Sequence, residues 1–143
     1  MTALKQQAQQ LFEDIRAFRR ELHEQPELSG EETETSKKIQ AKLDEYGIHY
    51  FTGYAKTGIL AVIEGTRPGK TVGLRADIDA LQITEKADVP FKSKVDGKMH
   101  ACGHDAHTAM LLGVGKLLQE QKAEIAGTVL LIFQPAEENA PTG

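Results

Sequence analysis

Two helical periodicities, a block of β-rich segments, and one more helix feeding a short apolar strand follow one another along the chain, and this order narrows the possible folds more than any other feature. Leu4, Leu11, Ile15, Phe18 and Leu22 fall on one stripe of an amphipathic helix that runs to about His23. Pro26 interrupts it. Ser29-Gly30-Glu31-Glu32 then reads as a capping box opening a second helix, with Ile39, Leu43 and Tyr46 turned inward and Gly47 as its stop.

The runs Ile48 to Tyr54 and Gly58 to Glu64 are rich in β-branched and aromatic residues and are joined across Ala55-Lys56-Thr57, which predicts paired strands. A turn is expected at Thr66-Arg67-Pro68-Gly69, then a strand over Thr71 to Ala76 that delivers Asp77 and Asp79 at its carboxyl end. Gln82 to Met99 reads mostly as loop. A third helix should start near Asp105, carry Ala109, Leu112 and Leu117, and end before Gly127, after which Thr128 to Gln134 forms a short apolar strand stopped by Pro135. No internal repeat, low-complexity tract or linker interrupts the series, so it predicts one layered α/β domain.

Composition excludes several function classes. At 143 residues, 40% apolar and a net charge of −4, the chain has the make-up of a soluble globular domain long enough to bury a core. Lysines and arginines number 17 against 21 acids and form no basic block, so no nucleic-acid partner is expected. The longest apolar runs, such as Val129 to Phe133, are too short to span a bilayer. Met1-Thr2-Ala3-Leu4-Lys5-Gln6 lacks a signal-peptide apolar core. A single cysteine and no export signal make the cytoplasm the expected compartment.

Chemistry concentrates in three clusters. His100-Ala101-Cys102-Gly103-His104-Asp105-Ala106-His107 holds a thiol, three imidazoles and a carboxylate. Cys102 and His104 point the same way only in extended backbone, so they would ligate a metal from a loop, with Gly103 permitting unusual dihedrals and the cation keeping Cys102 as thiolate. The plainer alternative is a small buried thiol with capping or surface histidines. Glu137 and Glu138 follow the last strand, where one carboxylate could coordinate metal while the other takes a proton from water; the alternative is an acidic surface loop. Asp77 and Asp79 alternate across Ile78 and could hold a ligand or orient a histidine ring, or serve as turn formers. Arg75 reads as a structural ion-pair partner, His107 as a packed or hydrogen-bonded ring, His100 as a spare donor near the site, and His23 and His49 as structural. In an open α/β sheet the polar crevice lies beyond the carboxyl ends of the strands, so all three clusters can reach one edge.

Arg75-Ala76-Asp77-Ile78-Asp79-Ala80-Leu81, His100-Ala101-Cys102-Gly103-His104-Asp105 and Gln134-Pro135-Ala136-Glu137-Glu138, in this order and after His23-Glu24-Gln25-Pro26-Glu27-Leu28, resemble the amidohydrolase branch of the M20 metallopeptidase family. Gln82 departs mildly from the proline common there. The resemblance implies a layered α/β/α sandwich of the zinc-aminopeptidase type and hydrolysis of the amide bond of small N-acyl amino acids. It implies Cys102, His104 and Glu138 as metal ligands, Glu137 as general base, Asp77 as an active-site aspartate and Asp79 as its support. It also implies two divalent ions per complete site, zinc or manganese first, with nickel or cobalt open on ligand softness.

Family members are longer, with further metal-binding histidines downstream and a smaller inserted domain that often mediates dimerisation. The resemblance therefore implies that residues 1–143 are the amino-terminal part of the catalytic domain, a fragment or truncated product without the dimerisation or lid domain, and that the full-length form is a homo-oligomer. With no histidine after His107, this chain is expected to hold at most one metal weakly and to show little amidase activity. Two classes stay open at this point: part of a metal-dependent amidohydrolase, or a catalytically incomplete remnant that binds an ion or associates through an unpaired sheet edge.

Overall fold

A computed structural model describes residues 3–140, so the first two residues of the segment read against a signal peptide, and residues 141–143, lie outside it. The elements are α1 (Ala3–Glu24), α2 (Thr33–Glu45), β1 (His49–Tyr54), β2 (Gly58–Glu64), β3 (Arg67–Asp77), α3 (His104–Glu120), a 3₁₀ turn (Lys122–Glu124) and β4 (Ala126–Gln134). The strands form one mixed sheet in the order β1-β2-β4-β3, in which β4 runs antiparallel to β2 and parallel to β3. This is the α/β class expected.

Strand alternation builds the core. Ile59, Ala61 and Ile63 of β2 face inward, with Ile59 opposite Phe133 and Ala61 opposite Leu131 on β4. Ala76 of β3 pairs with Phe133 from the other side. Over them lie Ile39 and Leu43 of α2 and Ala109 and Leu112 of α3, with Phe18 and Leu22 of α1. Each large side chain buried here contributes about 1.5–3 kcal/mol by leaving water. Leu4 does not join the α1 stripe: Gln121, just past the end of α3, already bonds Gln7 at 3.2 Å, so Leu4 lies beyond the helix it would pack on.

Two local expectations are corrected. No capping box forms, because α2 begins at Thr33 and the Ser29 and Glu32 side chains bond elsewhere. The free amides of Glu34 and Thr35 instead donate to the Glu27 carboxylate at 3.1 and 2.7 Å. The segment expected to turn at Arg67-Pro68-Gly69 belongs to β3, whose pairing skips from Arg67–Ala126 to Thr71–Thr128. Backbone crowding explains the irregularity: a Cβ on Gly127 (φ +94°) would lie 2.0 Å from the Lys70 carbonyl oxygen, and one on Gly69 2.5 Å from the Ala126 carbonyl carbon. Gly65 is as tightly placed, 2.2 Å from the Ile125 oxygen. No helix among the described residues is long and apolar enough to cross a membrane.

Candidate metal centre

Because β3 and β4 are parallel neighbours, their carboxyl ends lie together, with Asp77 opposite Gln134. The long loop after β3 is tied down by Ala80 N–H to Glu27 O (2.9 Å) and by a Leu81–Met99 bridge, and it returns the chain to the same rim, where α3 starts at His104. Gly103 precedes the helix at φ +94°, a conformation that would strain any other residue between Cys102 and His104. Ligand atoms of Cys102, His104 and Glu138 all come within 4.8 Å of one another.

His104 is oriented from behind. Its Nδ1 faces two acceptors, the Asp79 carbonyl at 3.0 Å and Asp79 Oδ1 at 3.1 Å, so Nδ1 carries the proton. Nε2 is thereby left toward Glu138 Oε1 at 3.9 Å and Glu137 Oε2 at 4.0 Å. The hydrogen bond to Asp79 is the main cause that raises His104 to about 9, against the opposing pull of burial. Asp79 is itself buried, which pushes its carboxyl up, but bonds from His104, the Glu138 amide (2.9 Å) and the Ser29 hydroxyl (2.7 Å) outweigh burial and bring it to about 2.

Adjacent glutamates in extended backbone would diverge. Here Ala136, at φ +52°, turns the chain, and both carboxylates come to the same imidazole. The Ala136 amide donates to Glu32 Oε1 at 2.8 Å. Glu137 is 40% exposed and Glu138 18%, so the first meets solvent while the second lines the interior. Glu138 Oε1 is buried without a hydrogen-bond partner, and the Cys102 thiol is pushed up first by its bond to the Glu138 carboxylate. Thiol, imidazole nitrogen and an unsatisfied carboxylate oxygen, converging within one ion's reach, fit a divalent cation that would displace the thiol proton.

The remaining candidates separate. β3 stops at Asp77, so Asp77 and Asp79 do not continue one strand face. Asp77 Oδ1 accepts Arg75 Nε at 2.9 Å and Nη2 at 2.7 Å, the structural pair expected for Arg75, while its charge still raises His104 and Cys102. His107 lies exposed on α3 beside Met110, with its ring tilted against that of His104 at 6.3 Å between centroids. His100 is buried with neither ring nitrogen bonded, and burial holds it down to about 4. His23 is structural, with Nδ1 on Asp105 Oδ2 (2.7 Å) and Nε2 on Glu85 Oε1 (3.1 Å), tying α1 to the start of α3 and to the long loop. His49 stands edge-on to Phe51. Sequence reasoning missed the Ser29 hydroxyl as a donor to Asp79 and the supporting roles of Glu32, Glu85 and Asp105, since no local pattern distinguishes a buried acceptor from a surface acid.

Residues 73–143 match the family model described as peptidase family M20/M25/M40. The chain is 54% identical over 124 residues to an N-acetylcysteine deacetylase of Bacillus subtilis (strain 168), covering 86% of this chain and 33% of that protein. It is 53% identical over 127 residues to IAA-amino acid hydrolase ILR1-like 5 of Arabidopsis thaliana, covering 89% and 29%. Among solved structures it superimposes on the Bacillus subtilis YXEP protein, described as a dinuclear metal-binding peptidase, with a TM-score of 0.90 and 50% identity over 94% of this chain and 38% of that one. The chain thus spans about a third of the length of the curated relatives it matches.

Proposed function

Since the chain belongs to peptidase family M20/M25/M40, we propose that residues 1–143 form the amino-terminal part of the catalytic domain of a metal-dependent amidohydrolase acting on N-acyl amino acids. The observation that carries this reading is the convergence of Cys102, His104 and Glu138 around one point, with Glu137 beside it. Cys102, His104 Nε2 and Glu138 would hold a divalent ion, zinc by its thiolate and imidazole donors and manganese as the alternative. A cation bound there supplies positive charge that polarises an amide carbonyl and acidifies water.

The chain's own groups do the rest. Glu137, half-exposed and adjacent to the ligand cluster, accepts the proton of the attacking water and returns it to the departing amine. Asp79 fixes the His104 ring so that Nε2 points to the ligand cluster. Asp77 adds negative charge at the rim. The names of the two curated relatives, an N-acetylcysteine deacetylase and an IAA-amino acid hydrolase, support N-acyl amino acids as the substrate class.

Equilibrium dialysis of the purified chain against Zn²⁺ or Mn²⁺ tests the ligand set. One ion per chain is expected, with binding lost in Cys102→Ser and Glu138→Gln; equal metal content in those variants would remove the residues from the site. In a full-length protein carrying this sequence, Glu137→Gln should keep the metal and slow acetate release from N-acetyl amino acids about 10²–10⁴-fold.

A further inference from the structure

The turn that aims the two glutamates is built on a backbone conformation that its own sequence does not favour. Ala136 has φ +52°, one of three non-glycine residues with positive φ among those described. A residue held there costs about 1–2 kcal/mol, so something around it must hold the backbone in place. Two carboxylates from distant parts of the chain do so. Asp79 Oδ2 accepts the Glu138 amide at 2.9 Å, and Glu32 Oε1 accepts the Ala136 amide at 2.8 Å from 104 positions away in sequence.

Glu32 is fully buried, at 0% exposure, although it precedes the first turn of α2 and could have pointed to solvent. Among the described residues its carboxylate accepts three hydrogen bonds, from Gly30 N–H at 2.9 Å, Ala136 N–H at 2.8 Å and the Thr57 hydroxyl at 2.8 Å. No lysine, arginine or histidine pairs with it among these bonds. A buried carboxylate with only neutral donors is expensive to place, and what it returns is the satisfaction of three donors that no apolar residue could match. Its best-supplied product is geometric: it joins the end of the β1–β2 hairpin, the start of α2 and the turn after β4 at one point.

We infer that Glu32 is a positioning residue for the metal centre, holding the Ala136 turn so that Glu138 reaches the cation and Glu137 the substrate side. This inference rests on the metal reading above. Glu32 touches neither metal nor substrate, and its effect passes entirely through the backbone of Ala136.

The test compares the wild-type chain with Glu32→Gln and Thr57→Val, measuring Zn²⁺ affinity, the Co²⁺ absorption spectrum, the melting temperature and amide exchange at Ala136 and Glu138. Glu32→Gln is expected to bind Zn²⁺ about 10–100-fold more weakly, the range seen when an orienting partner is lost. The Co²⁺ thiolate band should persist, because Cys102 is untouched, while the ligand-field bands change as Glu138 withdraws. Amide exchange should accelerate at Ala136 and Glu138 and not in β2. Thr57→Val, which removes one bond to Glu32, should shift affinity the same way by a smaller factor. A folded Glu32→Gln chain with wild-type affinity and spectrum overturns the inference while leaving the metal reading intact. If Glu32→Gln does not fold, unchanged affinity in Thr57→Val overturns it instead. A wild-type chain that binds neither Zn²⁺ nor Co²⁺ sinks the metal reading first, and this inference with it.

Discussion

The layer between helices and sheet and the rim beyond the ends of β3 and β4 both bury side chains, but by opposite chemistry. In the layer, Phe133, Leu131, Ile59 and Leu112 are at most 1% exposed and belong to one apolar cluster. At the rim, Asp79, Asp105 and Glu32 are buried just as deeply and Glu85 nearly so, each against named donors. Apolar packing is non-directional and tolerates repacking, whereas a buried carboxylate demands donors at fixed positions. The layer therefore supplies stability, and the rim supplies geometry.

Phe133→Ala should produce the largest change, a destabilisation of about 3–5 kcal/mol in urea unfolding, with Zn²⁺ affinity retained by the folded fraction. A large loss of affinity in the folded protein would erase the distinction between the two regions. Asp79→Asn should cost less, about 1–3 kcal/mol, by leaving donors unmatched. It should also weaken Zn²⁺ binding about 10–100-fold by freeing the His104 ring. Wild-type affinity in that variant would show that the rim does not orient the ligand.

The same pair predicts a pH profile for the metal-free chain. Asp79 lies below its ordinary value, at about 2, so its contribution is present above about pH 4 and is lost as pH falls toward 2. His104 lies above its ordinary value, at about 9, so its contribution is full below pH 6.5 and is lost as pH rises through 9. His100, held down to about 4 by burial, contributes stability that is present above about pH 6.5 and lost as pH falls toward 4. Urea midpoints in EDTA should thus peak near pH 6.5, and Asp79→Asn should flatten the alkaline decline. A decline of equal size in Asp79→Asn would assign it to other groups.

Smaller effects sharpen the contrast further. Gly103→Ala should cost about 1–2 kcal/mol for its left-handed backbone, although a Cβ there meets open space. Cys102→Ser, at an exposed position, should change stability by no more than about 0.5 kcal/mol while abolishing the Co²⁺ thiolate band.

How far the sequence could be read follows the same division. The helices and strands were legible because burial in the layer is periodic: Phe18 and Leu22, Ile39 and Leu43, and the alternation of Ile59, Ala61 and Ile63 all announce a face. That Cys102, His104 and the Glu137–Glu138 pair could reach one rim was legible because they follow strand ends or precede a helix, whereas singling out Glu138 came from the family resemblance. The supports were not. Ser29 and Glu32 formed a plausible local cap, yet their partners are Asp79, 50 positions on, and Ala136, 104 positions on. His23 meets Asp105 across 82 positions. Hydrogen bonds over such separations leave no trace in spacing, and only the folded chain reveals which acid is an acceptor and which is solvated.

At the end of the sheet opposite the rim, Gly65, Gly69 and Gly127 bring main chains into direct contact, so closure there depends on atoms that are missing. Diversifying these three codons together with their neighbours, and selecting only for soluble folded protein, should return glycine at all three while the Lys70 side chain drifts freely. Gly127 would be the strictest, since any replacement meets both the Lys70 oxygen and a forbidden dihedral. Evolutionary freedom in this molecule is thus bounded at both extremities of one sheet, by charge at one and by bulk at the other.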